Sequence, residues 1–275
     1  MSVFKTAGVT VATALAFAAC LLAPTLAGAR TSAALSGAVT PAITGFPTTP
    51  QNVSLTLEGR VVGDDIDGAY PATTRRITLW FTHGARVNGR WFASCRAARL
   101  IATRGSRSAC PKASRIGGGW AFGTAISVTA RLQMEVYNGP GGRSMLFYFH
   151  ATNPVEISEL IDARFEQLRG NPRYGFKLTL PVPPGLQEIS DGMVTSLRQF
   201  KATVGGATVK VREHGRTVKR GYIEAMTCPP GARVIVRGLF EFNGGVPSQT
   251  VDSYLGCGQG PPFAPEFPPS VAGSD

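Results

Sequence analysis

The segment Ile126–Tyr137, ISVTARLQMEVY, alternates without a break over twelve residues. Ile126, Val128, Ala130, Leu132, Met134 and Val136 share one face, and Ser127, Thr129, Arg131, Gln133, Glu135 and Tyr137 share the other. Successive side chains of a strand point to opposite faces, so this pattern predicts a strand buried on one side only. Asn138-Gly139-Pro140-Gly141-Gly142 follows as a turn cluster, and Ser144–His150 is rich in strand formers, which completes a hairpin with a longer loop.

The same signature recurs. Tyr174, Phe176, Leu178, Leu180 and Val182 alternate with Gly175, Lys177, Thr179 and Pro181, the proline marking an edge or a strand end. Ile77, Leu79 and Phe81 form another apolar face; Val53–Leu57 and Val234–Phe242 are further strands, and Val209 and Val211 lead into a turn at Glu213-His214-Gly215-Arg216. The segment 154–169 supports two readings. Ile157, Leu160, Ile161, Phe165 and Leu168 make a helical stripe that Asn153 could cap and Gly170 could end, whereas Val155, Ile157, Ile161, Ala163 and Phe165 fit a strand. Neighbouring strands tip the balance narrowly toward strand. With 33 Gly and 20 Pro among 275 residues and no internal repeat, the chain reads as one all-β domain over 51–257, an antiparallel β-sandwich.

The ends read differently. Met1–Lys5 carries one positive charge, Ala7–Leu26 carries none, and Ala27-Gly28-Ala29 is a small-residue cleavage site, so 1–29 reads as a cleaved secretory signal peptide. Residues 30–50, rich in Ala, Thr, Gly and Pro, read as a flexible linker, and 258–275, with five prolines, as a disordered tail. Beyond the leader four cysteines remain. An even count in an exported chain reads as two disulfides, and of three connectivities the pairing nearest in sequence, Cys95–Cys110 and Cys228–Cys257, is favoured. Zinc is disfavoured because there is no CxxC pair and no nearby histidine.

Charge is concentrated. Between Gly68 and Met134 lie eleven basic residues and no Asp or Glu; beyond residue 29 the remainder sums close to neutral. Four of the eleven, Arg96, Arg99, Arg104 and Arg107, fall inside SCRAARLIATRGSRSACP, the loop that Cys95 and Cys110 close. Such a patch points to an anionic envelope polymer or a phospholipid surface. Nucleic acid is not expected, since neither aromatic-basic interleaving nor a helix-turn-helix signal is present.

Catalytic signals are sparse. His83, His150 and His214 are far apart, and there is no HExxH and no GxSxG. The Asp-rich run GDDIDG at 63–68 lacks the spacing of a calcium loop. IGGGW at 116–120 lacks the lysine of a phosphate-binding loop, so its glycines are expected to serve a turn with positive φ, with Trp120 in the core or at its rim. The acidic cluster Glu156, Glu159 and Asp162 is the one candidate for paired-carboxylate chemistry. No catalytic residue, metal or cofactor is assigned.

In order along the chain, YPATTRRITLWF, RWFASC, SACPKASRIGGGWAFGTA, YNGPGGRSMLFYFHATNP, YGFKLTLPVP and GYIEAMTCPP resemble an uncharacterised family of exported proteins from high-GC Gram-positive bacteria. The likeness covers roughly 50–257. It implies an all-β domain and the sequential disulfide pairing, and it implies no activity, ligand or catalytic residue. The expected function is therefore a secreted or envelope-associated, non-enzymatic protein whose basic segment 75–131 binds an anionic polymer or surface. The alternatives are a structural or protein-interaction module and an unrecognised hydrolase of extracellular glycans or esters.

Overall fold

The computed structural model describes residues 31–43, 49–63, 70–125, 128–190, 193–226, 228 and 233–257. Residues 1–29, expected to be a signal peptide, most of the Asp-rich run at 63–68 and residues 258–275, expected to be a disordered tail, lie outside the described residues. Seventeen strands follow in chain order: β1 (Ser32–Thr40), β2 (Gln51–Val62), β3 (Thr74–Thr82), β4 (Ala85–Val87), β5 (Arg115–Ala125), β6 (Val128–Asn138), β7 (Ser144–Ala151), β8 (Ile157–Gln167) and β9 (Tyr174–Pro181). The others are β10 (Glu188–Ser190), β11 (Met193–Val194), β12 (Ser196–Gly205), β13 (Thr208–Glu213), β14 (Arg216–Gly221), β15 (Ile223–Ala225), β16 (Arg233–Phe242) and β17 (Gln249–Gly256). Two short helices, α1 (Ala97–Ala102) and α2 (Pro184–Gln187), lie between them. Within the segment 154–169, Ile157–Gln167 is a strand, β8, hydrogen-bonded on both sides.

The all-β architecture and both disulfides match the sequence reading. Two open sheets stacked as a sandwich do not form. Eleven strands run in the order β1-β17-β16-β3-β9-β8-β7-β6-β5-β12-β2, and β2 pairs back onto β1, so the sheet closes into a barrel. Every wall pairing is antiparallel except β1 with β17, which lie parallel through Gly37↔Leu255 and Ala38↔Gly256. The parallel pair is what an odd number of strands needs to close.

Ser32–Thr40, expected to be part of a linker, is the closing strand. Its pairing with β2 runs from Ser32↔Val62 to Thr40↔Ser54. Ala33, Leu35 and Val39 turn toward the interior, so the strand does alternate, but with residues too small to make the pattern visible. Gly37 sits at the tightest point of the seam: a Cβ there would stand 2.1 Å from the Thr56 carbonyl oxygen. Nor do the glycines of IGGGW form a turn with positive φ. Gly117, Gly118 and Gly119 lie within β5, and a Cβ would stand 2.2 Å from the Thr203 carbonyl oxygen at Gly117 and 1.9 Å from that of Lys201 at Gly119. They let β5 and β12 approach closely. Trp120 is half-buried on the outer face beside Phe122, with Arg131 over both rings.

The Cys95–Cys110 loop lies on the outside of this wall. It starts at the upper rim, where the Cys95 N–H donates to the Asn138 carbonyl at 2.8 Å. Leu100 of α1, fully buried, packs with Tyr137, Leu146 and Tyr148 from the outer faces of β6 and β7. The loop thus has an apolar anchor of its own besides the disulfide. Gly105 (φ 71°) makes that fit possible, because a Cβ there would lie 1.8 Å from the Tyr148 ring. The second disulfide, Cys228–Cys257, ties the chain after β15 to the end of β17.

Gly37→Val is expected to destabilise the protein by on the order of 3 kcal/mol, since the seam has no room for a side chain, while Ala34→Thr on the same strand changes little. Thermal unfolding of the two variants checks this; equal midpoints would contradict the seam geometry.

Candidate functional site

An eight-stranded barrel is just wide enough for its own side chains to fill, and diameter grows with strand number. Eleven strands therefore leave an interior that needs large residues. Phe81, Phe147, Phe149, Phe165 and Phe176 supply them from β3, β7, β8 and β9. β12 adds Phe200 and Val204, but three inward positions on β5 and β12 are small, Ala121, Gly123 and Ala202. This uneven wall leaves a cavity of about 180 Å³, comparable with the apolar cavity of about 150 Å³ that takes up benzene in an engineered lysozyme.

Among the described residues the lining is mostly aliphatic and aromatic, with His83 as its only titratable side chain. Polar groups are confined to the two ends. At the lower end, where β3 and β12 begin, Thr74 is 2 % exposed, and its Oγ1 is buried without a hydrogen-bond partner. Thr195 and Ser196 also line the cavity there, but their hydroxyls are occupied, donating to the carbonyls of Leu186 and Pro71. The turn carrying α2 closes this end: Leu186 reaches the cavity, the Gln187 amide donates to the Val182 carbonyl at 2.6 Å, and Asn243 donates to Gln187 Oε1 at 2.6 Å.

The upper end is more open. His83 and Ala85, which line the cavity there, are exposed, whereas Thr74, Thr195 and Ser196 below are buried. A small lid covers part of this end. β15 pairs with β4 and with the first residues of β2, placing Ile223 and Ala225 over the cavity. The lid hangs on polar contacts. Glu224, with 3 % of its side chain exposed, accepts from Arg86 at 2.7 Å and from the Gly221 N–H at 3.0 Å. Burial alone would push this carboxyl up, but the bonds from Arg86, Asn88 and the Gly221 N–H outweigh it and hold the group below its ordinary range. Nearby, Asn138, fully buried, donates to the carbonyls of Gly89 and Ala93 at 3.0 and 3.1 Å and accepts from the Tyr222 hydroxyl at 3.2 Å. Burial moves the Tyr222 phenol well above its usual range, so it stays a donor.

Beside the lid a polar cleft is lined by Arg86, Arg90, Trp91, Glu213 and Arg220. It shares Ala85, Val87, Phe165 and Phe176 with the cavity as a common wall. Arg90 lies over the Trp91 ring at 4.6 Å.

The four loop arginines do not converge. Arg104 pairs with Glu156 at 2.9 Å, both side chains well exposed. Arg96 and Arg99 flank the first turn of α1, exposed and without a carboxylate partner among the described residues. The Arg107 side chain lies outside the described residues. Elsewhere the basic segment is met by acids distant in sequence: Arg75 and Arg76 pair with Glu241, Arg86 with Glu224, and Arg115 with Glu135. The acidic cluster disperses as well. Glu156 faces Arg104, Glu159 abuts Gly185 of α2, and Asp162 is exposed on the other face of β8. Partial burial raises the Glu159 carboxyl. Among the described residues no three of His, Cys, Asp and Glu lie close enough to hold a metal, and no helix is long and apolar enough to cross a membrane. No family model, characterised protein or solved structure matches this chain.

Glu224→Gln is expected to cost about 2 kcal/mol at pH 7, where the charged bonds are intact. Because the folded carboxyl lies below its unfolded value, this stability is present above the ordinary carboxylate range and is lost as pH falls through the folded value. Urea unfolding of both proteins should converge at low pH; a constant difference across pH would contradict the assignment.

Proposed function

We propose that the protein is a non-enzymatic binding protein of the extracellular or envelope space that holds a small apolar molecule, or the apolar end of an amphiphile, in its barrel. The observation that carries this reading is the interior itself: a cavity of about 180 Å³ with an almost wholly apolar wall, a buried unpartnered hydroxyl at each end, Thr74 at the closed one and Thr82 at the other, and exposed residues beside Thr82. Binding pockets for small molecules have this composition, mostly apolar with a few placed polar groups. Thr74 and Thr82 are the groups that would orient a ligand, each by accepting or donating one hydrogen bond. Two disulfides suit an oxidising compartment outside the cytoplasm.

A second reading keeps the anionic partner expected for the loop. Arg96 and Arg99 are exposed on a helix that a disulfide and a buried leucine fix in place, so their guanidinium groups are held ready at low entropic cost. Loss of binding to purified wall polymer in Arg96→Ser/Arg99→Ser supports this reading, and unchanged binding removes it.

The lumen reading is tested with an environment-sensitive apolar dye. Gly123 lines the cavity and has no positive φ, and a Cβ there meets nothing closer than 3.9 Å, so Gly123→Met fills the space with little backbone strain. The native chain is expected to enhance dye fluorescence at one saturable site, and Gly123→Met to weaken the dye at least tenfold while unfolding near the native midpoint. Equal dye binding by the two proteins would contradict the proposal.

A further inference from the structure

The hairpin β13–β14 pairs with no wall strand, and its Val211 is buried while its Glu213 and Arg220 line the polar cleft beside the lid. β12, whose Val204 lines the cavity, leads into it through Gly206-Ala207, and β14 leads out of it through Tyr222 into the lid strand β15. Its root is fixed: the Gly206 N–H donates to the Val53 carbonyl at 3.0 Å, the Tyr222 N–H to the Ala207 carbonyl at 2.9 Å, and Asn88 Nδ2 to the Gly221 carbonyl at 2.9 Å. The hairpin therefore projects from the upper, more open end.

Its sequence, TVKVREHGRTVKRG, holds five cations and one acid. Arg220, near the base, and Glu213, beside the turn, neutralise each other. The other four, Lys210, Arg212, Arg216 and Lys219, are exposed, and none forms an ion pair among the described residues. Two of them are placed against the grain of strand pairing. Lys210 and Lys219 are direct cross-strand partners, and Arg212 is the diagonal neighbour of Lys219 on the same face. Like charges directly opposite destabilise a sheet. The opposite face carries Val209, Val211 and Val218 with Glu213, Arg216 and Arg220, and since Val211 is buried and Val209 packed against the core, the ribbon cannot turn Lys210, Arg212 and Lys219 away. Arg75, Arg76, Arg86 and Arg115 are met by acids, whereas this repulsive cluster has no ion pair among the described residues.

We infer that the β13–β14 hairpin is an electrostatic foot that sets the open end of the barrel on an anionic lipid surface. Lys210, Arg212 and Lys219, exposed together on the face away from the cleft, suit an extended array of phosphate headgroups. The choice of a bilayer over a soluble polyanion rests on the lumen reading, because an apolar ligand resides in membranes and the foot borders the cavity's mouth. Basic residues near such a surface strengthen attachment by roughly fivefold each, and salt screens them.

The test uses the chain without its leader and sedimentation with vesicles of phosphatidylcholine, alone or mixed with anionic phosphatidylglycerol. Binding is expected to the mixed vesicles only, and to fall as salt rises. Lys219→Glu replaces the repulsive pair by an attractive one, so it should raise the unfolding midpoint while weakening vesicle binding at least tenfold; this opposite movement separates loss of the foot from loss of the fold. Arg96→Ser/Arg99→Ser should leave vesicle binding unchanged. Equal binding to neutral vesicles, no binding to either, unchanged binding by Lys219→Glu, or tighter binding to soluble heparin than to anionic vesicles each overturns the inference. Dye binding measured without vesicles reports on the lumen independently, so failure of the foot and failure of the lumen give different patterns.

Discussion

Closure of the sheet between β1 and its two neighbours is the constraint on which the rest of the molecule depends. Without β1, β2 and β17 would both end as open edges, each presenting a row of unpaired backbone groups. With it, the inward faces of eleven strands are joined into one interior, and the width of that interior is fixed by strand number. Gly37 marks how tight the join is, since its α-carbon passes beside the Thr56 carbonyl with no space for a methyl group. The cavity follows from closure combined with the distribution of side-chain size, aromatic residues being concentrated on β3, β7, β8 and β9 while β5 and β12 contribute the small Ala121, Gly123 and Ala202.

The alternation at β6 and β9 was plain because large apolar residues alternate there with Arg, Gln, Lys and Thr. β1 was not plain because Ala33, Leu35, Gly37 and Val39 alternate with Ser, Ala and Thr, a contrast too small to stand out. Sandwich and barrel could not be told apart by pattern, as both are built of strands with one apolar face. What separates them is whether Ser32–Thr40 meets Gln51–Val62 and Gln249–Gly256, and pairing between segments so distant leaves no local mark. The disulfides were legible, since cysteines nearest in sequence are also nearest in space, with Cα atoms 5.2 and 5.8 Å apart.

The cavity was hidden for a related reason. Phe147, Leu132 and Ala202 announce burial, and burial looks the same in a filled core as in a lined lumen. Charge misled more directly. Counting by segment credited the stretch 75–131 with a patch, yet Glu224 and Glu241, from the far end of the chain, and Glu135 fold against its arginines. The same counting buried the cations of 208–221 in a remainder close to neutral, although they share one ribbon. Only the pairing Lys210↔Lys219 reveals that these charges face each other.

Lid, floor and wall thus converge on one claim, that a closed eleven-stranded barrel encloses a dry apolar space. Xenon enters such spaces and avoids polar ones occupied by water. In a crystal of this protein held under xenon pressure, the gas should appear inside the barrel among Leu132, Phe147 and Ala202. Ordered water at that position, or β1 found detached from β2 with the interior collapsed, would contradict the account.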